Sequence, residues 1–175
     1  DMTLESTFKG GDNLEGIVEE DGKLYVANSY KGLNDFNQEV FVINAKTMAL
    51  ENTLQVVLNP TKIHEIDDKI YLISQGNYVD IPGALQVLDT EKGTFIPILE
   101  NVTKITEGDN GLVHGGCSTY DSNWQLTNSF FSYDPKRNKV SNGTFLQDAP
   151  SSFSTDAIYM LEVDEKTGFI YVGTS

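Results

Sequence analysis

Short apolar runs, each bounded by glycine, aspartate or asparagine, follow one another along most of the chain. The run Leu14–Glu19 ends near Asp21-Gly22, and Lys23–Ala27 then continues with almost unbroken apolar character. An aspartate–glycine pair between two such runs indicates a β-hairpin, and an unbroken apolar run is typical of a strand covered on both faces. The pattern therefore predicts an all-β chain of short strands and tight turns.

The stretch Val87–Gly93 recurs upstream and downstream at a fixed distance. The residue that ends its strand is Asp89, and Asn44 and Asp134 occupy the same place 45 positions before and after it. A repeat of about 40–50 residues made of strands and turns is typical of a β-propeller, with one blade per repeat. The predicted fold class is therefore an all-β propeller with four-stranded antiparallel blades.

Counting strands against this period gives about three and a half blades. The blades are predicted at approximately residues 13–58, 59–100, 101–149 and 150–175, with residues 3–8 as an outer strand of an adjoining blade. A propeller closes by completing one blade with a strand from the other terminus, and this chain would leave that blade short. We therefore expect residues 1–175 to be a single, partial propeller domain, with open blade edges available to a second chain.

Several strands resemble a known family of propellers. Lys23–Ser29 is similar to the second strand of the YVTN/YncE-like β-propellers, and Val87–Thr90 and Val42–Ala45 are similar to their third strand. Val163–Val172 resembles a hairpin of that family, and Lys69–Tyr78 resembles the strand and loop of DUF5074-type surface proteins of Bacteroidetes. These motifs specify turns and core strands, so the resemblance concerns the fold more than the activity.

The resemblance implies a seven-bladed propeller that is exported and lipid-anchored as a lipoprotein. The implied location is the cell surface or the periplasm of a Gram-negative bacterium such as Bacteroides. Some members of the family are described as surface-layer proteins, and others bind corrinoids beside an outer-membrane transporter. A small-molecule ligand and a transporter partner are therefore implied, although no motif in this chain selects the corrinoid branch.

Charge and cysteine content exclude several function classes. The chain carries 26 acidic and 12 basic residues, which gives a formal net charge of −14 at pH 7 and a pI near 4.3. Nucleic acid and anionic membrane both need a basic stripe, so neither is expected as a partner. No apolar run is long enough for a transmembrane segment, so a membrane-embedded domain is not expected. The single cysteine, Cys117, excludes a disulfide within the chain.

Candidate binding chemistry lies in three connections between second and third strands, which are predicted to be long loops on one face of the propeller: Asn28–Gln38, Gln75–Gly83 and Ser118–Asn128. Aromatic faces stack on sugar C–H groups or on ring systems, while amides and carboxylates bind the polar edges. The alternative is that these aromatic side chains pack between blades or hold the long loops in place. The predicted ligand-binding residues are Tyr30, Phe36, Asn77, Tyr78, Tyr120, Asn123 and Trp124.

Enzyme signatures are weak. His64 and His114 lie in or beside strands, without a second ligand at metal-binding spacing. Cys117 follows His114 by three positions, and alternate strand residues point to opposite faces, so the two side chains are expected to diverge. Acidic pairs such as Asp67-Asp68 are expected to be solvated turn residues rather than a calcium site. The sequence therefore predicts no catalytic residue, no metal site and no cofactor.

Three functions are compatible with these observations. The leading hypothesis is a non-enzymatic cell-surface or periplasmic binding protein that holds a glycan, or another small molecule such as a corrinoid, on the long-loop face. A propeller hydrolase or lactonase with a metal in the central channel is an alternative, and it needs inward acids and histidines from successive blades. The other alternative is a protein-docking or surface-layer scaffold.

Overall fold

The computed structural model describes residues 3–108, 111–143, 145–146, 148–164 and 166–175. Their strands form antiparallel sheets, and sequence neighbours pair within each sheet. The chain divides into two compact units, the first up to Ile98 and the second from Leu99 onward. The all-β architecture predicted from the sequence is confirmed.

The first unit contains two four-stranded sheets. The first sheet consists of β1 (Leu14–Glu20), β2 (Lys23–Gly32), β3 (Asp35–Asn44) and β4 (Leu50–Gln55). The second sheet, which reaches the unit boundary, consists of β5 (Pro60–Ile66), β6 (Lys69–Ser74), β7 (Ala84–Asp89) and β8 (Thr94–Glu100).

The second unit contains a four-stranded sheet and a two-stranded sheet. The larger one consists of β9 (Val102–Glu107), β10 (Val113–Tyr120), β11 (Leu126–Asp134) and β12 (Lys139–Asn142). A short 3-10 helix at Ser151–Ser154 precedes β13 (Ile158–Val163) and β14 (Ile170–Thr174). The amide Nδ2 of Asn128 donates to the carbonyls of Phe153 and Asp156 at 3.0 and 2.7 Å, which fixes the helical segment to β11.

The core of the first unit lies between its two sheets. Strand β2 is buried from Tyr25 to Ser29, as expected for a strand covered on both faces. Val26 packs with Phe41 and Ile43 on one face of the first sheet, while the other face meets the second sheet. Burying one aliphatic side chain contributes roughly 1.5–3 kcal/mol, so this shared core holds the sheets together. It consists of Tyr25, Ala27, Val40, Val42, Leu54, Ile63, Ile70, Leu72, Leu88 and Phe95.

The strand predicted at residues 3–8 is not formed. A lone extended segment has no neighbour to satisfy its backbone hydrogen bonds, so it gains nothing from strand geometry. Phe8 still packs against the first sheet, with its ring centroid 5.7 Å from that of Phe41. The residues before β1 therefore cover apolar surface without extending a sheet.

The first predicted long loop, Asn28–Gln38, is wrong, because most of it is strand. Strands β2 and β3 continue until Leu33-Asn34, the two residues between them. Tyr30 is paired with Phe36 across this extension. Cross-strand aromatic pairs stabilise antiparallel strands, which explains why polar residues in this stretch did not produce a loop.

The other two predicted loops differ from each other. In the stretch Ser118–Asn128, β10 continues to Tyr120 and β11 begins at Leu126, so the connection is half the predicted length. The stretch Gln75–Gly83 is a loop throughout, between β6 and β7. Sequence composition thus identified the connections but not how far the hairpins extend into them.

The 45-residue repeat marks a turn with one shared hydrogen-bond pattern. Oδ1 of Asn44, Asp89 and Asp134 accepts backbone N–H groups two or three residues later, at 2.9–3.1 Å. Short polar side chains that accept bonds from their own backbone are typical of turns. The repeated stretch is therefore a structural element between third and fourth strands.

These turns predict an acid dependence of folding stability. A hydrogen bond from the Lys92 side chain holds the pKa of Asp89 below its ordinary value of 3.8. A hydrogen bond from the Arg137 side chain lowers the pKa of Asp134 in the same way. In a related turn, a hydrogen bond from the Thr167 side chain lowers the pKa of Asp164. A carboxyl whose pKa is lower in the folded state stabilises above its unfolded pKa, and that contribution is lost as the pH falls through the folded value. We expect the Tm to decline as the pH falls below 3.8.

The triple variant Asp89→Asn, Asp134→Asn, Asp164→Asn separates this effect from general acid unfolding. Asn44 shows that asparagine accepts the same backbone bonds, so the variant should fold. Its Tm, followed by circular dichroism from about pH 5 to about pH 3, should decline less steeply than that of the wild type. A decline as steep as the wild type's would contradict the assignment.

Candidate functional site

The first unit contains an open cleft of about 600 Å³ at the β2–β3 end of the first sheet and the β6–β7 loop of the second. Both elements were predicted to carry binding residues. We name this site the aromatic cleft. It is lined by Asn13, Glu15, Tyr30, Leu33, Asn34, Phe36, Asn59, Thr61, Gln75 and Tyr78.

Three aromatic rings form one wall of the aromatic cleft. The ring centroid of Phe36 lies 5.9 Å from that of Tyr30 and 6.0 Å from that of Tyr78. The ring planes meet at 59° and 71°, so the three rings do not share one plane. Such tilted pairs contribute about 0.5–1.5 kcal/mol each beyond area burial. Tyr30 and Tyr78 remain 40% and 67% exposed, so ring surface is accessible to a ligand.

The β2–β3 hairpin positions two of these rings. Tyr30 and Phe36 are partners in register, and the ladder shifts on both sides of Tyr30. Irregular pairing of this kind redirects side chains at the end of a sheet. Asn34 closes the turn with a φ of 58°, in the left-handed region that asparagine tolerates. The hairpin therefore presents its aromatic pair away from the shared core.

The third ring, that of Tyr78, lies on a loop that is held in place by hydrogen bonds with the side chain of Asn77. Oδ1 of Asn77 accepts the backbone N–H groups of Val79, Asp80 and Ile81 at 3.1, 3.1 and 2.9 Å. Its Nδ2 donates to Oδ1 of Asp80 at 2.7 Å. Gly76 has a φ of 67°, and a Cβ there would collide with the carbonyl of Ile81. Asn77 was predicted to bind ligand. Its side chain instead forms hydrogen bonds within the loop that carries Tyr78.

Asn59 joins the two sheets beneath the cleft. Its backbone N–H donates to the carbonyl of Asn37 on β3, and its carbonyl accepts from the N–H of Gln75 after β6, both at 2.8 Å. Asn59 is buried and has a φ of 62°. This geometry favours asparagine over a β-branched residue. The positions of the hairpin and the loop are therefore coupled through one residue.

The polar floor of the cleft is tied to the aromatic wall. The Tyr78 hydroxyl accepts from Nδ2 of Asn59 at 3.3 Å and donates to Oε1 of Gln75 at 3.4 Å. Nε2 of Gln75 donates to Oγ1 of Thr61 at 3.5 Å. These long bonds are weak, and a ligand hydroxyl can replace any of them with little loss. The floor offers amide and hydroxyl groups of both donor and acceptor type.

The charged group of the cleft is the Glu15 carboxylate on β1. Its Oε1 accepts from Nδ2 of Asn13 and from Oγ of Ser29, both at 2.8 Å. Ser29 is fully buried, whereas Glu15 is exposed. The buried hydroxyl therefore fixes the orientation of an accessible carboxylate. A fixed carboxylate is a strong acceptor for ligand hydroxyl or N–H donors.

The remaining predicted site residues lie in the second unit, on the β10–β11 connection. The rings of Tyr120 and Trp124 are 6.3 Å apart, and they are 60% and 80% exposed. Oδ1 of Asp121 accepts from the N–H groups of Asn123 and Gln125 at 2.8 and 2.9 Å. Trp124 has a φ of 60°, which this tight connection imposes. These residues form a second aromatic surface within the second unit.

Sequence reasoning found the aromatic wall of the cleft and missed its floor. Tyr30, Phe36 and Tyr78 lie together as predicted, while Asn123 and the two aromatic residues near it belong to the other unit. Glu15, Asn59, Thr61 and Gln75 were not predicted. A usable signal existed for Asn59, because the residues that precede β5 emerge at the same end of the sheets as the second-to-third connections, and for Gln75, which begins one of those connections.

His114 and Cys117 are buried in the second unit. Nδ1 of His114 lies 2.8 Å from Oγ of Ser132, its cross-strand partner, and both residues are buried. Its ring packs on Phe145 with centroids 4.4 Å apart. Burial raises the pKa of the Cys117 thiol to about 11, so the thiol is protonated at neutral pH. A protonated, buried thiol is a poor nucleophile.

Within the described ranges, no cluster of three or more histidine, cysteine, aspartate or glutamate side chains is placed to hold a metal ion. Among the same residues, no helix is long and apolar enough to cross a membrane.

Comparison with known proteins identifies the fold. No protein-family model and no curated protein matches the sequence. The chain is similar in structure to Kuenenia stuttgartiensis hydrazine synthase, with a TM-score of 0.63 and 17% identity over 87% of this chain and 46% of that one. The β-propeller domain of Cps50 (Swd1) from Myceliophteria thermophila matches with a TM-score of 0.55 and 8% identity, over 93% of this chain and 54% of that one. A glucose dehydrogenase matches with a TM-score of 0.59 and 10% identity, over 93% of this chain and 58% of that one.

These similarities establish a partial β-propeller with about three and a half blades. The chain spans about half the length of the solved structures it matches. Identities of 8–17% show the fold alone. The predicted fold class is therefore confirmed, whereas the resemblance to the YVTN/YncE-like and DUF5074-type families stays a prediction.

The rigid loop beneath Tyr78 generates a prediction. Asn77→Ala removes the acceptor of three backbone N–H groups, which must then form hydrogen bonds with water instead. At about 1 kcal/mol net for each hydrogen bond, partly replaced by water, we expect the free energy of unfolding to fall by about 1–2 kcal/mol. Denaturant unfolding measures this change.

Asn123→Ala is the matched control, since its side chain lies on an exposed loop of the other unit. It should change the free energy of unfolding by less than about 0.5 kcal/mol. Equal effects of the two substitutions would contradict the role assigned to Asn77.

Proposed function

We propose that this chain is the ligand-binding part of a non-enzymatic binding protein, and that its ligand is a glycan held in the aromatic cleft. The observation that carries the proposal is the convergence of Tyr30, Phe36 and Tyr78 from two neighbouring sheets onto one polar floor. Aromatic faces that meet amide and carboxylate groups suit sugars, whose C–H faces are apolar and whose edges carry hydroxyls.

The tilt of the rings supports a sugar over a large flat ligand. A planar macrocycle such as a corrin stacks best on one extended surface, and ring planes that meet at 59° and 71° do not provide one. A chain of pyranose rings is narrow and puckered, so each sugar can meet a different aromatic face. A volume of about 600 Å³ accommodates a short oligosaccharide.

The floor supplies the hydrogen bonds that a glycan needs. Glu15 accepts from a sugar hydroxyl, while the amide groups of Asn59 and Gln75 both donate and accept. Because the wall and the floor are already held by Asn59 and Asn77, little ordering is required when the ligand binds. Preorganisation of this kind raises affinity by lowering the entropy cost of association.

We also propose a setting for this activity. The sequence resemblance supports export to the cell surface or the periplasm of a Gram-negative bacterium, and an outer-membrane transporter as a partner that receives the ligand. A surface binding protein that passes glycans to a transporter has no need of catalytic groups. Co-purification with an outer-membrane protein complex, using the tagged full-length protein, tests this part.

The ligand is testable with a glycan array followed by isothermal titration calorimetry on the best-bound oligosaccharide. Tyr78→Ala and Tyr30→Ala should each weaken binding about tenfold, which corresponds to the loss of one stacking contact of about 1.4 kcal/mol. Tyr78→Phe keeps the ring and should weaken binding less, because only the hydroxyl is lost.

Trp124→Ala and Tyr120→Ala are the controls, because these exposed aromatic residues lie outside the aromatic cleft. They should leave the affinity unchanged within about twofold. Loss of binding in these variants with retention in Tyr78→Ala would move the site to the second unit. Absence of any glycan binding by the folded protein would refute the proposal.

A further inference from the structure

A second cleft, of about 910 Å³, lies in the first unit at the other end of β2 from the aromatic cleft. The turn at Asp21 borders it on the first sheet, and the turn at Asp68 borders it on the second. Glu20 and Glu51 add further carboxylates to its rim. We name this site the acidic cleft.

Part of the lining of the acidic cleft is apolar. Val42 and Leu54 from the first sheet line it, as do Ile70 and Leu88 from the second, and all four belong to the shared core. Carboxylates at a rim above an aliphatic wall are complementary to a ligand that combines positive charge with hydrocarbon. Neither feature alone specifies such a ligand.

The rim carboxylates are not neutralised by the lysines that also line the cleft. Lys23 and Lys69 both lie there, yet the ion pairs of the described residues are Lys92–Asp89 and Arg137–Asp134. The consequence is visible at Glu20, where partial desolvation and the neighbouring charges of Asp21, Glu65, Asp68 and Glu19 raise the pKa of the carboxyl. The site therefore carries unsatisfied negative charge.

Tyr25 places a hydroxyl group in the acidic cleft. It lines the acidic cleft and is 9% exposed, and its hydroxyl makes no hydrogen bond with any residue in the described ranges. The hydroxyl oxygen itself is not fully buried, so it opens into the cleft. Burial first, and then the charges of Asp21, Glu20 and Glu51, raise the pKa of this phenol, so these carboxylates lie near it. The hydroxyl is available to a ligand among acidic groups.

The geometry selects an organic cation over a metal ion. The described carboxylates do not converge in a group that could hold a metal. They line a cleft whose volume of about 910 Å³ exceeds what one ion fills. Several ammonium groups joined by methylene spacers match this arrangement, because each charge can meet its own carboxylate while the spacers cover the apolar wall.

We propose that the acidic cleft binds an aliphatic polyamine, with its ammonium groups at the rim carboxylates and its methylene chain on the aliphatic wall. The Tyr25 hydroxyl accepts a hydrogen bond from one ammonium group. This site is separate from the aromatic cleft, so the two ligands bind without competing.

Isothermal titration calorimetry with spermidine at low ionic strength tests the site. We expect one strong site per chain in the wild-type protein. The double variant Asp21→Asn, Asp68→Asn should weaken binding about tenfold, and Tyr25→Phe should weaken it about threefold while retaining the packing of the ring. Magnesium chloride at matched ionic strength should not displace spermidine from this site, because the carboxylates do not converge on one ion.

The double variant Glu107→Gln, Glu162→Gln is the control for overall charge. It changes the net charge by the same amount at exposed positions of the second unit. Its spermidine affinity should stay within about twofold of the wild type. Equal losses in the two double variants, several equivalent weak sites per chain, displacement by magnesium, or an unchanged affinity in Tyr25→Phe would each overturn the proposal.

Discussion

The two sheets of the first unit depend on the backbone of Asn59. Its N–H donates to the carbonyl of Asn37 in the first sheet, and its carbonyl accepts from the N–H of Gln75 after β6 of the second, both at 2.8 Å. The residue is buried, so loss of either bond would leave a polar backbone group without water. Together with the apolar core between the sheets, this connection sets where the β2–β3 hairpin meets the β6–β7 loop. The position of the hairpin relative to the loop in turn determines the shape of the aromatic cleft.

The two ends of the same pair of sheets offer different chemistry. At one end, tilted aromatic rings stand over amide, hydroxyl and carboxylate groups, an arrangement suited to a neutral, hydroxylated ligand. At the other end, unpaired carboxylates stand over aliphatic side chains, an arrangement suited to an organic cation. Strand β2 contributes to both clefts, with Tyr25 near one end and Tyr30 near the other, and its residues from Tyr25 to Ser29 are buried.

The repeat and the turns could be predicted from sequence because they depend on local chemistry. Asn44, Asp89 and Asp134 cap their own turns, and local hydrogen bonds of this kind leave a periodic trace in the chain. The loop that carries Tyr78 was predictable for the same reason, since Asn77 accepts the backbone N–H groups of its own loop. What these residues share is that few distant contacts decide their conformation.

The rest depends on partners that sequence spacing does not reveal. The extension of the β2–β3 hairpin results from pairing between Tyr30 and Phe36, and the segment near Phe8 forms no strand because nothing pairs with it. The cleft floor is built by Asn59 and Gln75, which are distant from the ring residues of β2 and β3 in the chain. Such positions are set by how two sheets pack, so they emerge only in three dimensions.

Amide hydrogen exchange, followed residue by residue by NMR, tests the central claim that this connection preforms the aromatic cleft. The N–H groups of Asn59 and Gln75 should exchange nearly as slowly as that of Ala27 in the core, and far more slowly than that of the exposed Glu5. Exchange of both amides at the rate of Glu5 would contradict the account, because the hairpin and the loop would then not be held together before a ligand arrives.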